Sequence, residues 1–223
     1  MANAIPDVVI TRSVRVPVGA QTLDGDLARP HEPRGIVVFA HGSGSSRHSP
    51  RNQHVAGILQ QHRFATLLID LLTRREEQLD EFSGEYRFDI PLLAQRLGSI
   101  VDWLRTDADT TTLPIGLFGA STGGGAALVA AADRRDIGAV VSRGGRPDLA
   151  GAALAAVTAP TLLIVGALDT AVVAMNREAM ARMRTHVEIA VVPGATHLFE
   201  EPGTLDRVAA LAAAWFERYL VER

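Results

Sequence analysis

Ser121 lies in the sequence Gly119-Ala-Ser-Thr-Gly123, after an apolar run that begins at Ile115 and before an alanine-rich stretch that ends at Ala132. A serine on a sharp turn between a buried strand and a helix is lifted above the edge of the sheet, where its hydroxyl can reach a substrate. The alternatives are a flexible loop and a phosphate-binding loop, but the latter needs a lysine after its glycines and none follows. The pattern therefore predicts a nucleophilic serine.

A serine hydroxyl is a poor nucleophile until a base takes its proton, and the usual base is an imidazole that a carboxylate orients. Of the seven histidines, His197 lies in a loop directly after the last predicted strand. The others are less suitable: His54 and His62 lie on a predicted helix, His31 and His186 precede strands, and His41 and His48 lie in a turn with another predicted role. His197 is the predicted base.

The orienting carboxylate should follow the penultimate strand, and Asp169 does. Three other acids compete with it. Asp70 ends a strand on the other side of the nucleophile strand, and Asp148 lies further into a loop. Asp206 opens the final helix, where an acid is favourable because of the helix dipole alone. Asp169 is therefore the predicted orienting acid.

Two backbone N–H groups must stabilise the oxyanion that forms when a serine attacks a carbonyl. The amide of Thr122 directly follows the nucleophile, and the amide of Ser43 lies between Gly42 and Gly44 in the turn after another apolar run. We predict that these two amides form the oxyanion hole. The alternative for the second turn is a dinucleotide-binding loop, but the third glycine of that motif would fall where Arg47 stands.

Two arginines follow the next predicted strand, in the sequence Arg143-Gly-Gly-Arg146. Guanidinium groups bind carboxylates in a bidentate manner, so Arg143 and Arg146 are candidate substrate-binding residues. The alternative is that they are solvated or paired with Asp148. This stretch and the segment 71–88 are expected to form the rim of the site.

Apolar runs predict the strands that position these residues. They are an edge strand over 8–18, which contains Pro17, the strand before Ser121, and strands over 22–28, 35–40, 64–70, 137–141, 161–165 and 187–192. Helices are predicted to begin at Pro50, to follow Ser121, and to cover 89–106, 172–183 and 204–220, whereas the charged segment 71–86 is interpreted as a solvated loop with room for a helical turn. This alternation indicates a mostly parallel twisted sheet with helices on both faces. Ligands bind beyond the carboxyl ends of such strands, where the polar motifs lie.

The 223 residues suit a single α/β domain over 1–223, because no linker or charge run divides them. A net charge of −3 argues against a nucleic-acid partner, and the absence of cysteine excludes disulfides and thiolate nucleophiles. The histidines show no paired ligand spacing, so no metal and no cofactor are expected. The N-terminus lacks the features of a signal peptide, and no stretch is apolar enough to span a membrane. We therefore expect a cytoplasmic protein without a membrane partner.

Four motifs give the sequence a resemblance to the dienelactone hydrolase-like branch of the α/β-hydrolases. They are His41-Gly-Ser-Gly-Ser-Ser, Gly119-Ala-Ser-Thr-Gly123, Gly166-Ala-Leu-Asp169 and Ala195-Thr-His197-Leu-Phe. The order serine, aspartate, histidine is also that of the α/β-hydrolases. The resemblance implies the α/β-hydrolase fold without a large cap domain, in keeping with the short segment 142–161. The sequence differs from true dienelactone hydrolases, whose nucleophile is a cysteine.

These observations predict a serine hydrolase that cleaves a small-molecule carboxylic ester or lactone. Ser121 would form the acyl-enzyme, His197 would act as general base and acid, and Asp169 would orient the imidazole. Two alternatives remain open: an acyltransferase or thioesterase with the same three residues, and a binding protein that keeps the fold without catalysis. The sequence does not indicate the oligomeric state.

Overall fold

The computed structural model describes residues 8–221; residues 1–7, to which the signal-peptide expectation refers, and 222–223 lie outside that range. The described residues form an eight-stranded sheet in the order β1-β2-β4-β3-β5-β6-β7-β8. The strands are β1 Ile10–Val18, β2 Gln21–Arg29, β3 Gly35–Ala40, β4 Phe64–Ile69, β5 Ile115–Ala120, β6 Ile137–Arg143, β7 Thr161–Gly166 and β8 Val187–Val192. Strands β3 to β8 are parallel, and β1 and β2 join them antiparallel at one edge. The predicted, mostly parallel sheet and its edge strand are confirmed.

Helices cover both faces of the sheet. They are α1 Pro50–Gln61, α2 Arg74–Ser83, α3 Ile90–Leu104, α4 Thr122–Asp133, α5 Thr170–Arg182 and α6 Thr204–Phe216. On one face, Val55 of α1 and Phe216 of α6 belong to the same buried cluster as Phe39 of β3. On the other face, Leu97 of α3 belongs to the cluster that contains Leu117 of β5. Because both faces are covered, β3, β4 and β5 are buried along their whole length, which explains their continuous apolar sequences.

The prediction of a loop over 71–86 is wrong, because most of this segment forms helix α2. The helix begins after Thr73, whose hydroxyl accepts a hydrogen bond from the Glu76 N–H while the Glu76 side chain accepts one from the Thr73 N–H. This capping box satisfies two otherwise unpaired N–H groups. Gly84, with φ of 67°, ends the helix. The apolar stripe that normally reveals a helix is missing, since Asp80 is the one buried residue of α2.

The segment between β6 and β7 carries no large insertion. It forms short 3-10 turns over Pro147–Ala156, which are interrupted at Gly151 where φ is 52°. The carboxyl ends of β5, β7 and β8 therefore remain uncovered at this edge of the sheet. Ser121, Asp169 and His197 follow these three strand ends.

Candidate active site

Ser121 occupies a strained turn between β5 and α4. Its backbone angles are φ 51° and ψ −121°, a conformation that costs a non-glycine residue about 1 to 3 kcal/mol. Hydrogen bonds hold the turn: the Ser121 N–H donates to the Arg143 carbonyl at 3.2 Å, and the Ser121 carbonyl accepts from the N–H groups of Gly124 and Arg146, each at 3.0 Å. The serine is thus fixed by the end of β6 as well as by its own helix.

Two glycines allow strand, turn and helix to approach each other closely. A Cβ atom on Gly119 would lie 2.5 Å from the Gly123 carbonyl oxygen. A Cβ atom on Gly123 would overlap the Ala40 carbonyl oxygen and lie 2.6 Å from that of His41. Real Cβ atoms do not come this close to backbone oxygens, so any side chain at either position would force the elements apart.

The structure brings Asp169 and His197 together. Asp169 follows β7 and precedes α5, and its Oδ2 lies 2.6 Å from Nδ1 of His197, in the loop after β8. Such a distance is typical of a hydrogen bond to a charged group. It fixes the tautomer with the proton on Nδ1 and leaves Nε2 of the imidazole free to accept a proton.

The loop that carries His197 is anchored on both sides. Directly before His197, Thr196 donates hydrogen bonds to the Glu201 carboxylate from its N–H at 3.1 Å and from its hydroxyl at 2.6 Å. After it, Phe199 adopts φ of 57° and buries its ring in the cluster beneath the sheet face. A left-handed conformation is uncommon for a bulky residue, so burial of this ring must stabilise the loop.

The acids that competed with Asp169 have other partners. Asp70 pairs with Arg47, Asp148 with Arg146 at 2.7 Å, and Asp206 with His54 at 2.7 Å. None of these three pairs involves a residue of the loop that carries His197. Asp169 is the carboxylate that reaches the predicted base.

Ser121 and His197 meet the same segment, 143–146, from two sides. Two backbone hydrogen bonds join this segment to Ser121. A Cβ atom on Gly144 would lie 3.6 Å from Cε1 of His197. Neither side chain, in this part of the described structure, is hydrogen-bonded to the other. Hydrogen bonds between catalytic groups often form only when substrate is bound.

The predicted oxyanion donors lie next to each other. The Ser43 N–H donates to the Thr122 hydroxyl at 2.8 Å, so the turn after β3 is tied to the start of α4. Thr122 is the first residue of α4, where backbone N–H groups have no partner within the helix. Its amide is therefore available to an oxyanion, whereas the Ser43 amide would have to exchange the hydroxyl for it.

His41 has a structural role that the sequence did not reveal. Its Nδ1 donates to the Gly42 carbonyl at 3.0 Å, and its Nε2 accepts from the Leu71 N–H at 2.9 Å. Burial lowers the pKa of His41 below 6.5, which keeps the ring neutral and suits the acceptor role of Nε2. The imidazole thus links the turn after β3 to the end of β4. A histidine directly after an apolar strand is the sequence signal for this link.

A cavity of about 250 Å³ adjoins Ser43 and Thr122, the residues of the predicted oxyanion donors. We call it the loop pocket; its wall consists of residues 41–46, Leu71, Leu72, Leu93, Thr122 and side chains of α2 that include Glu77. Burial, and then the charge of Asp70, raises the pKa of Glu77. Its lining combines leucines with three acidic residues and Arg87. The segment 71–88 thus lines a pocket beside the site, as the sequence predicted, but much of it does so as helix α2 and not as a loop.

The two predicted substrate-binding arginines have different environments. Arg146 forms a bidentate ion pair with Asp148, with distances of 2.9 and 2.7 Å. This hydrogen-bonded pair lowers the pKa of Asp148 and raises that of Arg146. Arg143 is 7% exposed, and burial lowers its pKa to about 10. The structure therefore pairs Arg146 with Asp148, which was the alternative to substrate binding, and it leaves Arg143 without a carboxylate partner.

Neither a metal cluster nor a membrane helix is found between residues 8 and 221. No group of three or more histidine, aspartate or glutamate side chains is arranged to hold a metal ion there. None of the helices in that range combines the length and the hydrophobicity that crossing a bilayer requires.

Comparison with known proteins identifies relatives along nearly the whole chain. The chain is 58% identical over 208 residues to a protein of Mycobacterium tuberculosis named "Putative phosphoribosyl transferase"; the match covers 93% of this chain and 46% of the relative. The chain thus spans about half the length of the curated relatives that it matches. Among solved structures, dienelactone hydrolase from Anabaena variabilis is 57% identical, with a TM-score of 0.93 and coverage of 95% of this chain and 99% of that one.

More distant structures share the fold alone. Est1E from Butyrivibrio proteoclasticus is 16% identical, with a TM-score of 0.76 over 92% of this chain and 98% of its own.

The model of the dienelactone hydrolase family matches residues 23–220, from β2 to the end of α6 and beyond. This match covers the turn of Ser121, the loop of His197 and the sheet that carries both. By sequence and by fold, the chain belongs to the dienelactone hydrolase family.

Proposed function

We propose that this chain is a serine hydrolase that cleaves a carboxylic ester or lactone through an acyl-enzyme on Ser121. His197 acts as general base and acid, and Asp169 orients the imidazole. The observation that carries the proposal is the 2.6 Å hydrogen bond between Asp169 and His197 at the edge of the sheet where the strained turn exposes Ser121. The family supports hydrolysis as the reaction class.

In the proposed mechanism, Nε2 of His197 takes the proton of Ser121 as the hydroxyl oxygen attacks the carbonyl carbon. The positive charge that develops on the imidazole is stabilised by Asp169. The Thr122 N–H, joined by the Ser43 N–H once that amide releases the Thr122 hydroxyl, donates to the oxyanion. His197 then protonates the leaving alkoxide. In the second step, His197 takes a proton from a water molecule that attacks the acyl carbon, and it returns this proton to the Ser121 oxygen as the acid leaves. A lactone releases its alcohol as part of the same molecule.

The proposed substrate is a small molecule that lies along the strand ends. The loop pocket adjoins Thr122 and has room for one part of it. Arg143 and Arg146 lie beyond Ser121 on the other side, where they are the proposed contacts of a substrate carboxylate. Arg146 would first have to leave Asp148, so we assign the stronger contact to Arg143.

Hydrolysis is favoured over transfer because the site is open to water. The side chain of His197 is 38% exposed, and no cap is inserted between β6 and β7. The name of the M. tuberculosis relatives describes proteins about twice as long as this chain, whereas the family that matches residues 23–220 is a hydrolase family. We therefore assign hydrolysis, and not ribosyl transfer, to the site of this chain.

The test compares hydrolysis of p-nitrophenyl acetate and butyrate by the wild type, by Ser121→Ala and by a control variant, Ser99→Ala. In the wild type, the Ser99 hydroxyl donates a hydrogen bond to the Gln95 carbonyl on the exposed side of α3. Loss of the nucleophile should lower kcat by at least about 10³-fold, because triad members act as a unit, and the control should match the wild type. A fluorophosphonate should label the wild type and Ser99→Ala only. Equal rates in all three proteins would overturn the proposal.

The same reagents separate the two alternatives. A binding protein without catalysis would leave Ser121 unlabelled by the fluorophosphonate. An acyltransferase or thioesterase would be labelled, but it would consume an acyl-thioester or an added alcohol acceptor faster than it transfers the acyl group to water. The product ratio with and without the acceptor decides between transfer and hydrolysis.

A further inference from the structure

Arg143, the last residue of β6, is a buried cation without a partner. It is 7% exposed, and its Nε and Nη1 atoms are inaccessible and make no hydrogen bond. It forms no ion pair with any of the described residues 8–221. Arg96, which is 5% exposed, shows how this chain treats another buried arginine: it binds Glu76 at 2.6 and 2.9 Å and the Leu71 carbonyl at 2.6 Å.

The guanidinium of Arg143 lies on the face of the sheet that α1 and α6 cover. Alternate residues of a strand point to opposite faces, and Val141 packs in the cluster of that face. Ser142 points the other way, where its hydroxyl lies against Gly124. The charge of Arg51, near the start of α1, contributes to the lowered pKa of Arg143. The two cations are therefore neighbours.

The surroundings of Arg143 include the segment that follows His197. Nη1 of Arg51 binds Glu200 at 3.0 Å, which ties the start of α1 to this segment. Nε of Arg51 is buried without a partner, as is Oδ1 of Asn52, the next residue of α1. Gly144, directly after Arg143, approaches the His197 carbonyl. Buried polar atoms without a hydrogen-bond partner thus occur both at the end of β6 and at the start of α1, two elements that the charges of Arg143 and Arg51 bring close together.

A buried charge without a counter-charge is unfavourable, and no carboxylate among the described residues pairs with this one. Burial, and then the charge of Arg51, lowers the pKa of Arg143 to about 10, so the guanidinium is still protonated at neutral pH. Its planar array of donors matches the oxygens of a carboxylate or a phosphate group. The start of α1 adds the positive end of a helix dipole. All these features favour an anion.

We propose that Arg143, assisted by Arg51, binds an oxyanion, a carboxylate or phosphate group, where the end of β6 meets the start of α1. The oxyanion belongs either to the ester itself or to a free ion. The role of this site in choosing a substrate rests on the proposed function, whereas the binding of an anion does not.

Binding is tested by melting curves in chloride buffer of constant ionic strength, with and without inorganic phosphate or glutarate. Both anions should raise the melting temperature of the wild type. They should raise that of Ser121→Ala as well, because binding of the anion does not require catalysis. Arg143→Met should lose the rise, and Arg51→Gln should reduce it. The control is Arg134→Met, which removes an arginine paired with Asp136 at the far end of α4 and should keep the rise.

Two results would overturn the proposal. One is a wild type whose melting temperature does not respond to either anion. The other is a response of the same size in Arg143→Met, which would reflect a general salt effect on stability. If Arg143→Met does not fold, the comparison between Arg51→Gln and the wild type decides, because a charge that takes no part in binding can be removed without changing the response.

The source of the oxyanion is tested with two esters of equal chain length, mono-p-nitrophenyl glutarate and p-nitrophenyl valerate. If the group belongs to the substrate, kcat/KM of the wild type should favour the charged ester at least tenfold, and Arg143→Met should abolish the preference. If a free ion occupies the site, the preference is absent while the melting temperature still rises with phosphate. Failure of the proposed function looks different: neither ester is hydrolysed, yet the melting temperature responds.

Discussion

Replacement of Asp169 by asparagine tests whether the pair of Asp169 and His197 supports catalysis. The substitution keeps the size of the side chain and removes its charge. In the wild type, Oδ2 of Asp169 accepts the Nδ1 proton of His197 at 2.6 Å, and the aspartate side chain is 18% exposed. An asparagine can present its amide N–H₂ to the imidazole, which would favour the wrong tautomer.

The expected loss follows from the charge that His197 gains in the transition state. Two unit charges whose centres lie about 4 Å apart interact with about 4 kcal/mol at an effective dielectric constant of about 20. Every 1.36 kcal/mol corresponds to about a factor of ten in rate. The full interaction would thus be worth about 10³-fold in kcat, and solvent screening at the partly exposed imidazole lowers this figure. We expect Asp169→Asn to lower kcat by about 10² to 10³-fold.

The assay is steady-state hydrolysis of p-nitrophenyl butyrate, with kcat and KM determined separately. KM should change little, because the lost interaction forms in the transition state and not in the bound ground state. The control is Asp206→Asn, which removes the exposed partner of His54 and should leave both constants unchanged. A kcat of Asp169→Asn within threefold of the wild type, in a protein with the wild-type melting temperature, would refute the proposed role.

Two further predictions concern stability. Because burial lowers the pKa of His41 below 6.5, the unfolded chain takes up this proton first as the pH falls. The free energy of unfolding should therefore decrease below pH 6.5, by up to about 1.4 kcal/mol per pH unit from this group. Urea titrations at several pH values should show that the free energy of unfolding of His41→Gln depends less steeply on pH than that of the wild type. The same pH dependence in both proteins contradicts the assignment. Gly123→Ala places a methyl group against the carbonyl oxygens of Ala40 and His41 and should cost about 3 kcal/mol. In Gly57→Ala, the control within α1, the new Cβ meets nothing within 4 Å, so urea titrations should show a gain of about 0.5 to 1 kcal/mol.

Local patterns in the sequence were sufficient for most of the fold. Apolar runs such as 35–40 and 64–70 predicted buried strands, since a parallel strand covered on both faces needs no alternation. The glycines around Ser121 predicted the turn, because contact of a strand with the next helix leaves no room for side chains. Helix α2 escaped prediction because its signal is a cap at Thr73 rather than an apolar face. The cap alone does not outweigh a run of charges.

The sequence by itself determined which residue types stand at the ends of which strands, because that information lies within about ten neighbouring residues. Only the tertiary structure decided what those residues contact. It paired His197 with Asp169 rather than with another acid, tied the Ser43 amide to the Thr122 hydroxyl, and buried Arg143 without a carboxylate. Such pairings depend on the directions in which side chains from distant elements point, and on which charges the surrounding elements leave unpaired.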